Sequence, residues 1–125
     1  MAQLFSLGIM DASPQFPSDE NGDVFRRMIS GGDDITQPRM IDFCHVFPER
    51  QQALAFADIV DGRDLEVCIS YYAERDMWQV TVKRYMIPTH KDVTTLELSL
   101  ASQAESVGGE ADGWGCMMVD RKVTQ

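Results

Sequence analysis

The sequence is short of the residues that build covalent and metal-held scaffolds. It has three cysteines in 125 residues, Cys44, Cys68 and Cys116, far apart and with no Cys-x-x-Cys pair. That pattern argues against a disulfide framework or a thiolate zinc site and suits a reducing cytosol. Positive charge is scarce. Eleven Lys and Arg stand against twenty Asp and Glu, a net charge of −9. Such a balance disfavours direct binding to nucleic-acid phosphates or to an anionic membrane. It favours a basic partner, or it simply keeps the protein in solution. Long apolar runs are absent, so no transmembrane helix is expected. The start, Met1 to Met10, lacks a basic region and an unbroken apolar core, which argues against a secretory signal. A phosphate-cradling loop is also missing. Gly31-Gly32-Asp33-Asp34 puts acid where a phosphate would sit.

What remains is enough for one ordinary domain with a real core, since 44% of the residues are hydrophobic. Residues 1–17 read as a tail or extension, 18–120 as the domain, and 121–125 as a second tail. Ser18 reads as an N-cap. Val24, Phe25, Met28 and Ile29 follow at helical spacing until Gly31-Gly32. Arg39 to Phe47 alternates as a strand, with Ile41, Phe43, His45 and Phe47 on one face. Pro48 opens a helix whose stripe is Ala53, Phe56, Ala57 and Val60. Leu65–Tyr72 and Met77–Ile87 alternate again around a four-residue turn and form a hairpin. Thr89-His90-Lys91-Asp92 reads as a capping box, and Val93, Leu96, Leu100, Ala104 and Val107 make the next helical stripe.

The order is a helix followed by β-α-β-β-α-β. This predicts an α+β, ferredoxin-like two-layer sandwich with an extra N-terminal helix and a four-stranded antiparallel sheet. Right-handed crossovers place both long helices on one sheet face. Strict alternation then puts Asp42, Cys44, Val46, Cys68, Ser70, Tyr72, Gln79, Thr81, Lys83, Tyr85, Asp112, Trp114, Cys116 and Met118 on the other. That second face is too apolar to be left wet, so it is expected to be covered by the first helix, the N-terminal tail or a second subunit.

The last strand, Gly109 to Met118, is the most distinctive stretch, with Asp112-Gly113-Trp114-Gly115 at its centre. Glycines weaken a strand unless something approaches closely or the strand bulges. Two readings stand for it. Asp112 and Trp114 form an acid-plus-aromatic anchor for an Arg-rich peptide. Alternatively Trp114 packs under a loop, while Gly113 and Gly115 let a helix lie close. Alternation assigns the two glycines to the helix face. Asp33-Asp34 either holds a basic partner, or Asp34 closes a turn onto the Thr36 backbone. Tyr72 and Tyr85 complete the partner-binding candidates. Pro88 and Thr89 are structural, at the strand-to-helix junction. His45 reads as a satisfied core histidine rather than a base or ligand, and the cysteines as buried structural residues.

Four segments give the chain a family resemblance: Phe16 to Asp23, Gly32 to Arg39, Lys83 to Thr89, and Gly109 to Cys116 with its Asp-Gly-Trp-Gly core. Together they resemble the family of the regulator of ribonuclease E activity B, bacterial inhibitors of that ribonuclease. The resemblance implies a ferredoxin-like fold, a cytoplasmic protein with no catalysis and no cofactor, and binding to the non-catalytic scaffold of ribonuclease E. An arginine-rich scaffold would complement a net charge of −9. Two departures stand out. The long acidic C-terminal tail of the family's best-known member is replaced here by an ending near Arg121-Lys122, and residues 1–15 form a distinct extension. The competing readings are a homodimeric interaction module and, weakest, a small phosphate or acyl-phosphate hydrolase.

Overall fold

In the computed structural model, residues 16–62 and 64–121 are described. Helix α1 spans Glu20–Ser30. Its N-cap is Asp19, one residue beyond the expected Ser18. The Asp19 carboxylate accepts from the Gly22 amide at 2.7 Å and satisfies one of the helix's free donors. Glu20 and Asp23 in the first turn suit the positive end of the helix dipole. Strand β1 is Arg39–Phe47, within the expected bounds. Helix α2, Arg50–Val60, is opened by a reciprocal capping box between Glu49 and Gln52 rather than by Pro48.

Strands β2 (Glu66–Tyr72) and β3 (Met77–Met86) form the hairpin. A 3-10 turn, Ala73–Arg75, joins them, with Asp76 left-handed at φ 51°. Helix α3, His90–Glu105, starts with the Thr89 hydroxyl accepting from the Asp92 amide. Strand β4 is Glu110–Cys116.

The sheet order is β2-β3-β1-β4, with every neighbouring pair antiparallel. This is the ferredoxin-like order that right-handed crossovers require. One core lies between sheet and helices. Phe25, Ile41, Phe43, Phe47, Phe56, Val80, Val82 and Leu100 are all buried within it.

Helix α1 does not cover the second sheet face. It packs beside α3 and sends Phe25 into the common core, so α1 lies on the same side as the other two described helices. The helix is amphipathic, and its one fully buried aromatic side chain is satisfied there. The N-terminal tail, residues 1–15, lies outside the described residues, as do residues 122–125. On the second face Val46 is buried apart from the main cluster.

The decisive departure lies in the pairing of β1 with β4. Ile41, Asp42 and Phe43 face Cys116, Gly115 and Trp114, whereas His45 and Val46 face Ala111 and Glu110. The register slips between Phe43 and His45, so Asp112 and Gly113 share the space opposite Cys44. Gly113 takes φ +102°, open to glycine and strained for other residues. A one-residue slip moves everything beyond it to the other face. Trp114 and Cys116 therefore join Phe43 and Ile41 on the helix side. Gly115 turns to the open face beside Asp42, and a Cβ there would meet nothing within 4 Å. Gly113 and Gly115 do not make room for a helix.

Candidate functional site

The slip builds a junction around Trp114. Its indole Nε1–H donates to Asn21 Oδ1 at 2.9 Å. Asn21 in turn donates from Nδ2 to Thr94 Oγ1 and Glu97 Oε1, each at 2.9 Å. One amide thus joins α1, α3 and β4. The Trp114 ring lies 5.8 Å from Phe25, which stacks on Phe16 at 5.4 Å. Beside this junction runs a groove of about 380 Å³, with Glu20, Asp23, Glu97, Arg27, Gly113 and Trp114 among its walls. Asp23 is paired with Arg26. Near the start of α1, His90 Nε2 lies 3.1 Å from the Asp19 carboxylate. The Gly22 amide, and after it His90, hold Asp19 below the usual carboxylate range.

Asp112 and Trp114 do not act together. Asp112 accepts from Arg75 Nη1 at 3.3 Å, and the Arg75 guanidinium stands 5.9 Å over the Tyr72 ring. Arg75 thus reaches from the hairpin to the far edge strand. Tyr72 and Asp112 meet through it, while Trp114 faces the helices.

Asp33 and Asp34 also part. Asp33 is 3% exposed and forms a buried ion pair with Arg39 at 2.8 Å. Arg39 further donates to the Met117 and Asp34 carbonyls, at 3.1 and 2.8 Å. Asp34 bonds the Thr36 hydroxyl and, at 3.1 Å, the Thr36 amide, closing the expected turn. Those two bonds lower its pKa. Backbone bonds from Asp34 N to Val119 O and from Arg121 N to Gly32 O complete a clasp on the chain leaving β4. Arg39 was not singled out from the sequence. The signal was there, because an arginine on the core face of a strand requires a buried partner.

At the start of β2 lies a second acidic concavity, of about 420 Å³. Asp61, Asp64, Glu66, Lys83, Met40 and Tyr85 line it. Lys83 is held 3.9 Å from Asp42, and Tyr85 is 66% exposed. Sequence reasoning selected Tyr85 here and took Asp61 and Asp64 as solvated acids able to sum to a patch that steers a cationic partner; Glu66 it did not single out. Pro88 is buried, and Thr89 caps α3, at the junction expected of them.

His45 is buried against Phe56, ring centres 4.8 Å apart, and burial pushes its pKa down. Its Nδ1 has no hydrogen-bond partner among the described residues, while a bond to the Val80 backbone opposes the fall, so the core histidine is satisfied in part. The three cysteines are free; Cys44 and Cys68, each opposite Thr81, share the open face as expected, and Cys116 lies on the helix side. Cys68 is exposed rather than buried. Burial raises the Cys44 and Cys116 thiols, and Arg39 opposes the rise at Cys116. Among the described residues no helix is long and apolar enough to cross a membrane.

Residues 18–116, from just before α1 to the end of β4, match the model of the family named Regulator of ribonuclease activity B. The chain belongs to that family. The matched span covers α1, the whole sheet and the Trp114 junction, so the bulged strand is part of the family domain. Members are regulators of ribonuclease activity by description. Among curated proteins, none matches the chain.

Proposed function

We propose that this chain is a non-catalytic, cytosolic binding protein that lowers RNA decay by occupying a basic segment of a ribonuclease E-type scaffold. Membership of the regulator of ribonuclease activity B family carries this reading. The charge pattern supports it. The net charge is −9, and two separate concavities are lined by carboxylates, one by Glu20, Asp23 and Glu97 and the other by Asp61, Asp64 and Glu66. An arginine-rich segment is drawn to such surfaces over a Debye length of about 10 Å at moderate salt. Occupying that segment would keep RNA or other decay components from assembling on it.

Of the residues selected from the sequence, Tyr72, Tyr85, Asp112 and Asp34 offer surface to such a partner. Trp114 and Asp33 support it from within, as the wall of one groove and the centre of a clasp. The test mixes the purified chain with a purified ribonuclease E scaffold. Association at low salt that weakens as salt rises is expected, together with slower cleavage of an RNA substrate by the intact nuclease. Failure of the pure proteins to associate at low salt overturns the reading.

A further inference from the structure

Strand β2 closes one side of the sheet, and among the described residues its outer row of N–H and C=O groups pairs with nothing. It pairs with β3 in unbroken register from Glu66↔Lys83 to Tyr72↔Met77. It contains no proline, lysine or bulge, the devices that usually blunt an exposed edge. Seven residues give a straight rail of roughly 24 Å. Along it stand Cys68 and Ser70, small and exposed, with half-exposed Tyr71 near the end.

The flanking charges select what can lie on this rail. Asp61, Asp64 and Glu66 stand at its start, with Arg63 among them in sequence and Lys83 beside them but held 3.9 Å from Asp42. Glu74 and Asp76 follow its end, where the Arg75 between them is held 3.3 Å from Asp112, so acid is in excess at both ends. A second copy pairing antiparallel would set the Glu66 end of one strand against the Glu74 end of the other. A parallel pair would set each acid against its own counterpart. Opposed like charges destabilise strand pairing either way. An extended segment carrying Lys or Arg is attracted at both ends instead. The concavity of about 420 Å³ at the start supplies a seat for one such side chain, with Tyr85 as an exposed ring for a guanidinium to lie on.

We infer that the free edge of β2 is a docking rail for an extended basic segment, which adds as a fifth strand and places a basic side chain among Asp61, Asp64, Glu66 and Tyr85. Backbone hydrogen bonds would supply affinity, and the acids at the two ends would set preference for positive charge. The inference deepens the proposed function by saying how its basic partner is held.

The test uses hexapeptides of alternating arginine and valine, and of alternating glutamate and valine, with amide hydrogen exchange of the full chain followed by NMR. With the arginine peptide, alternate amides within residues 66–72 are expected to exchange about tenfold more slowly at roughly nine times its Kd. The glutamate peptide is expected to leave them unchanged. The triple variant Asp61→Asn, Asp64→Asn and Glu74→Gln keeps the folded amide spectrum and loses most of the protection. Unprotected β2 amides, equal protection by the two peptides, or protection that grows with protein concentration alone would each overturn the inference, the last by placing a second copy on the edge. No ribonuclease enters the experiment. Protection by the peptide with no association to the scaffold would therefore overturn the ribonuclease reading and leave the rail standing.

Discussion

The sheet ends in two strands of equal length and opposite treatment. Strand β4 is bulged at Asp112–Gly113, turns Trp114 inward and continues into a segment tied down by Arg39, Asp33 and Asp34. Strand β2 is unbulged, fully registered with β3 and bordered by segments rich in acid. One small sheet thus divides its labour. The β4 side invests its distinctive residues in tertiary structure. Among the described residues, the β2 side leaves backbone donors and acceptors unpaired and flanks them with charge. Distinctive sequence therefore marks the structural edge, and plain sequence marks the one free to bind.

The clasp carries the largest expected effect. Asp33→Ala leaves the Arg39 guanidinium buried without its counter-ion, and a loss of about 3–5 kcal/mol is expected in urea unfolding. Adding Arg39→Met should recover most of it, since an apolar pair needs no compensation. A loss below about 1 kcal/mol for Asp33→Ala would show that the ion pair does not hold the β4 side together.

Next comes Trp114→Ala, expected to cost about 3 kcal/mol because it empties the space beside Phe25 and frees Asn21. Trp114→Phe keeps most of the packing and loses the indole hydrogen bond, worth about 1 kcal/mol. Stability that is unchanged in the alanine variant would return Trp114 to the open face.

Smaller still is the contrast between two glycines. Gly113→Ala forces a Cβ into a left-handed backbone at φ +102° and should cost about 1–2 kcal/mol. Gly115→Ala meets open space and should stay within about 0.5 kcal/mol of the parent. Without the register slip Gly115 would face α3 and the order would reverse, so thermal unfolding of the pair tests the bulge directly.

These glycines also show where the sequence stopped being legible. Hydrophobic periodicity placed every helix and strand, because burial of one face is a local pattern that repeats along the chain. The bounds of β1, Arg39 and Phe47, follow from the alternation between them and from Pro48, which ends it. Parity failed only at the bulge, since a single inserted residue leaves the alternation on either side intact. Asp112-Gly113 could be flagged as a bulge site, but its effect on Trp114 needed the register with β1. The Asp33–Arg39 pair was missed for another reason. Its partners come from a loop and a strand whose approach is fixed by the returning chain at Met117–Val119. The acid cluster at the start of β2 is dispersed in sequence over Asp61, Asp64 and Glu66 and becomes one concavity only when Lys83 and Tyr85 of β3 arrive beside it.

The smallest effect on stability separates the two edges most clearly. Neutralising Asp61, Glu66 and Glu74 to Asn, Gln and Gln removes exposed charges that hold no ion pair among the described residues. Exposed charges contribute little to folding, so the free energy of urea unfolding should change by less than about 0.5 kcal/mol. Removing three negative charges from one edge also relieves mutual repulsion, so any shift should be towards greater stability. Association with a basic segment should weaken, and its dependence on salt should flatten, because fewer charges are screened. The same neutralisation at Asp33 would do the reverse, unfolding the clasp before any partner is tested. A variant set in which the β2 acids proved necessary for folding would end the distinction between a structural edge and a binding edge, whatever the peptide experiment returned.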